Sequence, residues 1–168
     1  MHLLKTLVSC TLLLTSLSLF AGNYTREGNC VVVKVKNPQP QGARLVRLQV
    51  LGKKIIRVEA TAEEHFPATQ SLIIVPQKNI TQFTISESAD KVKVATAALK
   101  AIVSTSTGRV FFYDENNKLI AAECENGKTF KPFTVPEREI GADGKLTDAQ
   151  KHGYTWRLLF DSSDDEAF

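Results

Sequence analysis

The sequence predicts an all-β domain, a sandwich or barrel of antiparallel strands, and three observations predict it. Apolar residues recur with a period of two in short runs, the signature of half-buried strands. Clusters of Gly, Pro, Asn and Asp separate these runs at short intervals. Beyond the first 21 residues, no window of about eleven residues carries helical periodicity.

The strands follow in order. Val31, Val33 and Val35 alternate with Val32, Lys34 and Lys36. The turn Asn37-Pro38-Gln39-Pro40-Gln41-Gly42 ends that run. Val46, Leu48 and Val50 alternate with Arg47 and Gln49, and Gly52-Lys53 leads into Ile56 and Val58, which alternate with Arg57 and Glu59. Candidate strands continue at 72–75 and 82–86, then at Val92 and Val94, which alternate with Lys91 and Lys93. Residues 98–123 read as a three-stranded meander, with strands at 99–104, 109–113 and 119–123 separated by Thr107-Gly108 and Asp114-Glu115-Asn116-Asn117. Residues 127–153 hold Pro132, Pro136, Gly141, Gly144 and Gly153 and read as a long loop with at most one short strand. The last strand is 155–160. Many short strands at this spacing argue for a sandwich or barrel, and outward lysines fit protected sheet edges.

The first 21 residues are a different kind of segment. Lys5 lies in a short polar start, 7–20 is apolar apart from Ser, Thr and Cys10, and Ala21-Gly22 closes it with small residues. This is the layout of a secretory signal peptide, cut after Ala21. The apolar run is shorter than the roughly 20 residues that cross a bilayer, so no permanent membrane span is expected. Leu7-Val8-Ser9-Cys10 has the form of a lipoprotein box, but the apolar stretch follows the cysteine instead of preceding it, which argues against lipidation. The expected organisation is a leader at 1–21 and one domain at 22–168, exported to the periplasm or beyond.

Removing the leader lowers the net charge from +3 to +2, too little for a nucleic-acid binder. The charge is uneven. Residues 22–110 carry 13 Lys and Arg against 6 Asp and Glu, and residues 111–168 carry 7 against 12. Solvated strand faces are the first reading of this asymmetry, and two ends that meet different partners are the second. Cys30 and Cys124 remain in the exported chain. In an oxidising compartment they are a candidate disulfide, which would stabilise the fold by about 4 kcal/mol. Two unrelated buried thiols are an equal reading.

Catalytic signatures are missing. The sequence has no Gly-rich phosphate loop, no Cys-x-x-Cys, no His-Glu-x-x-His and no nucleophile elbow, so no catalytic, metal or cofactor residues are assigned. His65 and His152 are far apart in sequence. Asp161, Asp164, Asp165 and Glu166 match no calcium loop and read as a solvated turn. Tyr154, Trp156, Leu158 and Phe160 share one face of a strand, where packing in the core is expected ahead of stacking on sugar rings. Asn23-Tyr24-Thr25 and Asn79-Ile80-Thr81 are glycosylation sequons, relevant only in a eukaryotic host.

The segment Tyr154-Thr155-Trp156-Arg157-Leu158-Leu159-Phe160, followed by Asp165-Glu166-Ala167-Phe168, resembles the N-terminal β-sandwich of glycoside hydrolase family 31. Arg47-Leu48-Gln49-Val50 with Ile55-Ile56-Arg57-Val58 is similar to that family's early hairpin. Leu99 to Val103, Val110 to Asp114 and Leu119 to Glu123 are similar to its central meander. The resemblance covers 30–168 and is nearest to bacterial α-xylosidases. It implies a galactose-mutarotase-like sandwich, also called a supersandwich, that packs on a catalytic (β/α)8 barrel. The barrel's two aspartates would perform retaining hydrolysis, and this chain, ending as if cut before the barrel, would be inactive alone. Oligosaccharide would be met only through the parent enzyme. The alternatives are a stand-alone carbohydrate-binding module and an envelope structural protein without catalysis.

Overall fold

A computed structural model describes residues 22–67 and 82–161. The leader, the candidate strand at 72–75, the Asn79 sequon and the acidic residues 164–166 lie outside these residues. Among them there is no helix; ten strands form two antiparallel sheets, a β-sandwich. The first sheet has the order β1-β2-β3-β4, built from β1 (Tyr24–Glu27), β2 (Cys30–Lys34), β3 (Leu45–Gly52) and β4 (Ile55–Thr61). The second runs β10-β9-β8-β7-β6-β5, built from β5 (Thr84–Ser88), β6 (Lys91–Ala95), β7 (Leu99–Ser104), β8 (Val110–Asp114), β9 (Leu119–Ile140) and β10 (Leu146–Asp161).

The period-two pattern is what makes the core. Val31, Val33, Val46, Leu48 and Val50 point inward from the first sheet, and Val92, Val94, Ala101, Val103 and Val110 from the second. Because successive side chains alternate faces, one apolar set is sealed while the lysines and arginines between them stay wet. Val33 opposes Val46 and Arg47 opposes Glu59, so the outward face of the first sheet also has an ordered pattern of charge. Ile56 and Val58 are only partly buried and pack on the rim of this core. The turn between β7 and β8 needs its glycine: Gly108 has φ +74°, and a Cβ there would sit 3.0 Å from Val35 Cγ2.

Two contacts join the sheets, one at the edge strands β1 and β5 and one just beyond the ends of β2 and β7. Glu87 on β5 accepts hydrogen bonds from the backbone N–H of Asn23 (3.0 Å) and from its side-chain amide (2.5 Å), which holds the Glu87 carboxyl below the usual carboxylate range. The N–H of Lys36 donates to the carbonyl of Thr105 at 2.8 Å.

Two expectations are corrected here. The segment 24–27, read from the sequence only as part of a sequon, is strand β1, with Tyr24 opposite Val33. The expected loop at 127–153 is instead the outer part of a long hairpin whose strands meet at the turn around Gly141 to Lys145. The prolines and glycines that suggested a loop are accommodated by position. Pro132 and Pro136 are four residues apart on β9, and β8 pairs with β9 only as far as Ala122. The outer half of β9 thus has an open edge, where a missing N–H removes no ladder bond. Gly153 lies beneath the Phe133 ring, whose Cζ would be 2.8 Å from an added Cβ.

Candidate functional site

The β9–β10 hairpin is not a regular ladder. Glu123 pairs with Phe160 and Lys128 pairs with Leu158, so four residues of β9 (124–127) face only Leu159 on β10. This bulge has local causes. Asn126 takes a positive φ of 55°, which asparagine tolerates. At Gly127 an added Cβ would lie 2.9 Å from the Leu159 carbonyl oxygen and 3.0 Å from that of Cys124. Only glycine allows the strands to close so tightly.

The two lips of the bulge carry opposite charges. Because Phe160 and Leu158 share a face of β10, their partners Glu123 and Lys128 share a face of β9 despite their odd spacing. Glu123 is 2% exposed. Its Oε2 accepts from the Val110 backbone N–H at 2.9 Å and lies 3.0 Å from Lys128 Nζ. Lys128 Nζ also donates to the Gly108 carbonyl at 3.2 Å. Burial pushes the Lys128 ammonium below the usual lysine value, and Glu123 partly opposes that. Arg109 holds the same region from the other side. Its Nε donates to the Glu123 carbonyl, its Nη2 pairs with Asp161 Oδ2 at 2.5 Å, and its guanidinium lies 4.6 Å over the Phe111 ring.

Glu123 and Lys128 also form the wall of a cleft of about 350 Å³ between the first sheet and the hairpin. Across it stand Arg47, Glu59 and Phe66, with Trp156 and Phe130 on the hairpin side. Arg47 and Arg57 each approach Glu59 at 2.6 Å, and the Arg47 guanidinium lies 4.3 Å over Phe66. Tyr154 O–H donates to Glu63, which ties the chain after β4 to β10 and raises the Tyr154 pKa above that of an ordinary phenol.

The aromatic strand departs from expectation. Trp156 is 67% exposed and Phe160 51%, so the Tyr154–Phe160 face is not core. Alternation identifies a shared face but not what covers it. Here the neighbouring sheet reaches only Phe130, which packs edge-on against Tyr154 with ring centroids 6.3 Å apart. Ile140 and Leu146 are exposed on the same face further along the hairpin, and Phe133 and Val135 are exposed on its opposite face.

Cys30 on β2 and Cys124 in the bulge are both free thiols, so the candidate disulfide is not formed here. Burial raises the Cys30 pKa, and a hydrogen bond to Asp161 raises that of Cys124, so neither is an activated thiolate. His65 follows β4, whereas His152 lies on β10 with Nδ1 2.9 Å from Thr134 Oγ1. Among the described residues, no three His, Cys, Asp or Glu side chains gather as metal ligands. Sequence reading missed the Glu123–Lys128 pair, because the bulge that joins them has no pattern beyond Asn126-Gly127.

No family model matches the chain. Its structure is similar to the glycoside hydrolase family 31 α-xylosidase of Xanthomonas citri, with 31% identity and a TM-score of 0.66. That match covers 83% of this chain and 14% of the xylosidase. A family 31 dextranase of Flavobacterium johnsoniae shares the fold at 18% identity and a TM-score of 0.54, over 71% of this chain and 15% of its own. A family 31 α-xylosidase from a soil metagenome, solved with xylose, does so at 18% identity and a TM-score of 0.52, over 73% and 21%. The chain therefore spans only a small part of the enzymes it resembles. Over that part it is similar to a β-sandwich domain of theirs.

Proposed function

We propose that this chain, which resembles a domain of family 31 α-xylosidases, acts as the N-terminal accessory domain of an exported retaining α-glycosidase. In this reading residues 1–21 are the leader and 22–168 the sandwich, and the domain braces a catalytic (β/α)8 barrel and shapes access to it. The observation that carries the proposal is the 31% identity to an α-xylosidase over 83% of this chain but only 14% of that enzyme. The hairpin supports it physically. Ile140 and Leu146 pair on one face of the hairpin and Phe133 and Val135 lie on the other, exposed apolar surface that is costly in water and suits cover by another body. Retaining hydrolysis needs two carboxylates about 5 Å apart, and no pair in this chain is assigned that role.

The test is hydrolysis of p-nitrophenyl α-xyloside and α-glucoside by this chain, beside the complete product of its gene. The accessory reading expects turnover by the complete product alone. Turnover by neither, or by the short chain itself, would reject it. Export is tested by sequencing the mature N-terminus, which should begin at Gly22.

A second reading, a carbohydrate-binding module, is favoured by the exposed Trp156 at the rim of the cleft. It expects heat on titrating xyloglucan oligosaccharide or maltodextrin into the chain. A flat titration would discard it.

A further inference from the structure

The Glu123–Lys128 pair occupies the one place where the long hairpin has strands of unequal length. Both ends of the hairpin are held independently. At the tip, the Gly141 N–H donates to the Lys145 carbonyl at 2.8 Å, and Gly144 takes φ +75°. At the sandwich end, Phe111 and Phe112 pair with Ala122 and Ala121. Between them β9 carries its excess residues, which must sit somewhere along the ladder.

We propose that the buried Glu123–Lys128 pair is the register lock of this hairpin. It confines the excess to 124–127 and so determines which β9 side chain stands opposite Leu158 at the cleft. A buried ion pair contributes little stability over an apolar pair of the same size, and its best-attested use is to select one register among several. The competing register can be written down. Moving the bulge outward by two residues would pair Cys124 with Leu159 and Glu125 with Leu158, leaving Phe130 opposite Trp156. Every side chain would keep a permitted face, so the pleat alone does not forbid the slip. The charges do. Glu125, exposed in the observed register, would take the place of Lys128 beside buried Glu123, and the ammonium would be lost from the site. Asn126 and Gly127 remain inside the bulge in both registers, so the backbone conformations they permit do not decide between them. The lock belongs to the sandwich and operates whether or not the chain serves a catalytic barrel.

The test moves the cation. In the full chain, the double variant Glu125→Lys, Lys128→Glu places Lys beside Glu123 only after the two-residue slip. Cross-strand nuclear Overhauser contacts should then report 125 opposite Leu158 in at least half of the molecules, where the unaltered chain shows 128 opposite Leu158. Retention of the 128–158 pairing alone would overturn the proposal. Hydrogen exchange on the unaltered chain keeps it testable should the variant not fold. The Val110 amide, which donates to Glu123, should exchange within about tenfold of the core amide of Val103. Exchange as fast as that of Lys145 at the tip would overturn it.

Discussion

Lys128 is the residue whose loss the fold should feel most. Lys128→Met leaves a carboxylate at 2% exposure facing no cation, and breaking a buried pair in this way costs about 3–5 kcal/mol. Urea unfolding of the single variant should show that loss, whereas removing both charges together should cost much less. Tyr154 offers a subtler readout. Its phenol donates to Glu63, so its folded pKa is raised above the unfolded value of 10.0. The proton is therefore held more tightly when folded. That contribution is complete below pH 10 and is lost as pH rises through the higher folded value. Of the chain's three tyrosines, one should titrate late in an ultraviolet titration, and Tyr154→Phe should remove that component.

At the scale of the element, the hairpin is shaped by glycine more than by side-chain packing. Gly127→Ala would push a Cβ to 2.9 Å from one backbone carbonyl oxygen and 3.0 Å from another. Neither can swing aside as a side-chain tip would, so a loss of about 1–3 kcal/mol is expected, read as a lower melting temperature. Gly108→Ala should be as damaging for a different reason, because its φ of +74° strains any L side chain while Val35 blocks the space. Gly28, also at positive φ but with nothing within 4 Å, should lose less on the same change. The order of the three melting temperatures checks this argument directly.

For the whole molecule, the balance lies between a small sealed core and a long exposed hairpin. The core is made of valines with one leucine and small alanines, and Leu48→Ala within it should cost about 2–5 kcal/mol. Beyond it, Ile140 at 73% and Leu146 at 65% exposure leave an apolar surface that promotes association of the isolated chain. Light scattering should show concentration-dependent self-association, reduced by Ile140→Ser with Leu146→Ser, which share one face of the hairpin. A clean monomer at high concentration in the unaltered chain would count against this surface being one that seeks a cover.

Local pattern alone specifies the class of the fold and most of its strands. Alternation in Val31–Val35, Val46–Val50 and Val92–Val94 requires a pleat with one buried face, and Thr107-Gly108 and Asp114–Asn117 demand turns between strands. The meander at 98–123 was legible for the same local reason. Strand β1 was not, because Tyr-Thr-Arg-Glu has too little apolar content to announce itself and becomes a strand by pairing with β2. Residues 127–153 read as a loop because proline and glycine are judged locally, whereas an open strand edge, a tertiary fact, is what makes Pro132 and Pro136 harmless. The exposure of Trp156 and the meeting of Glu123 with Lys128 were likewise decided only in three dimensions. Periodicity states which side chains share a face. What lies opposite that face, and how a four-residue bulge turns an odd spacing into a contact, depends on chain brought back from elsewhere in the sequence.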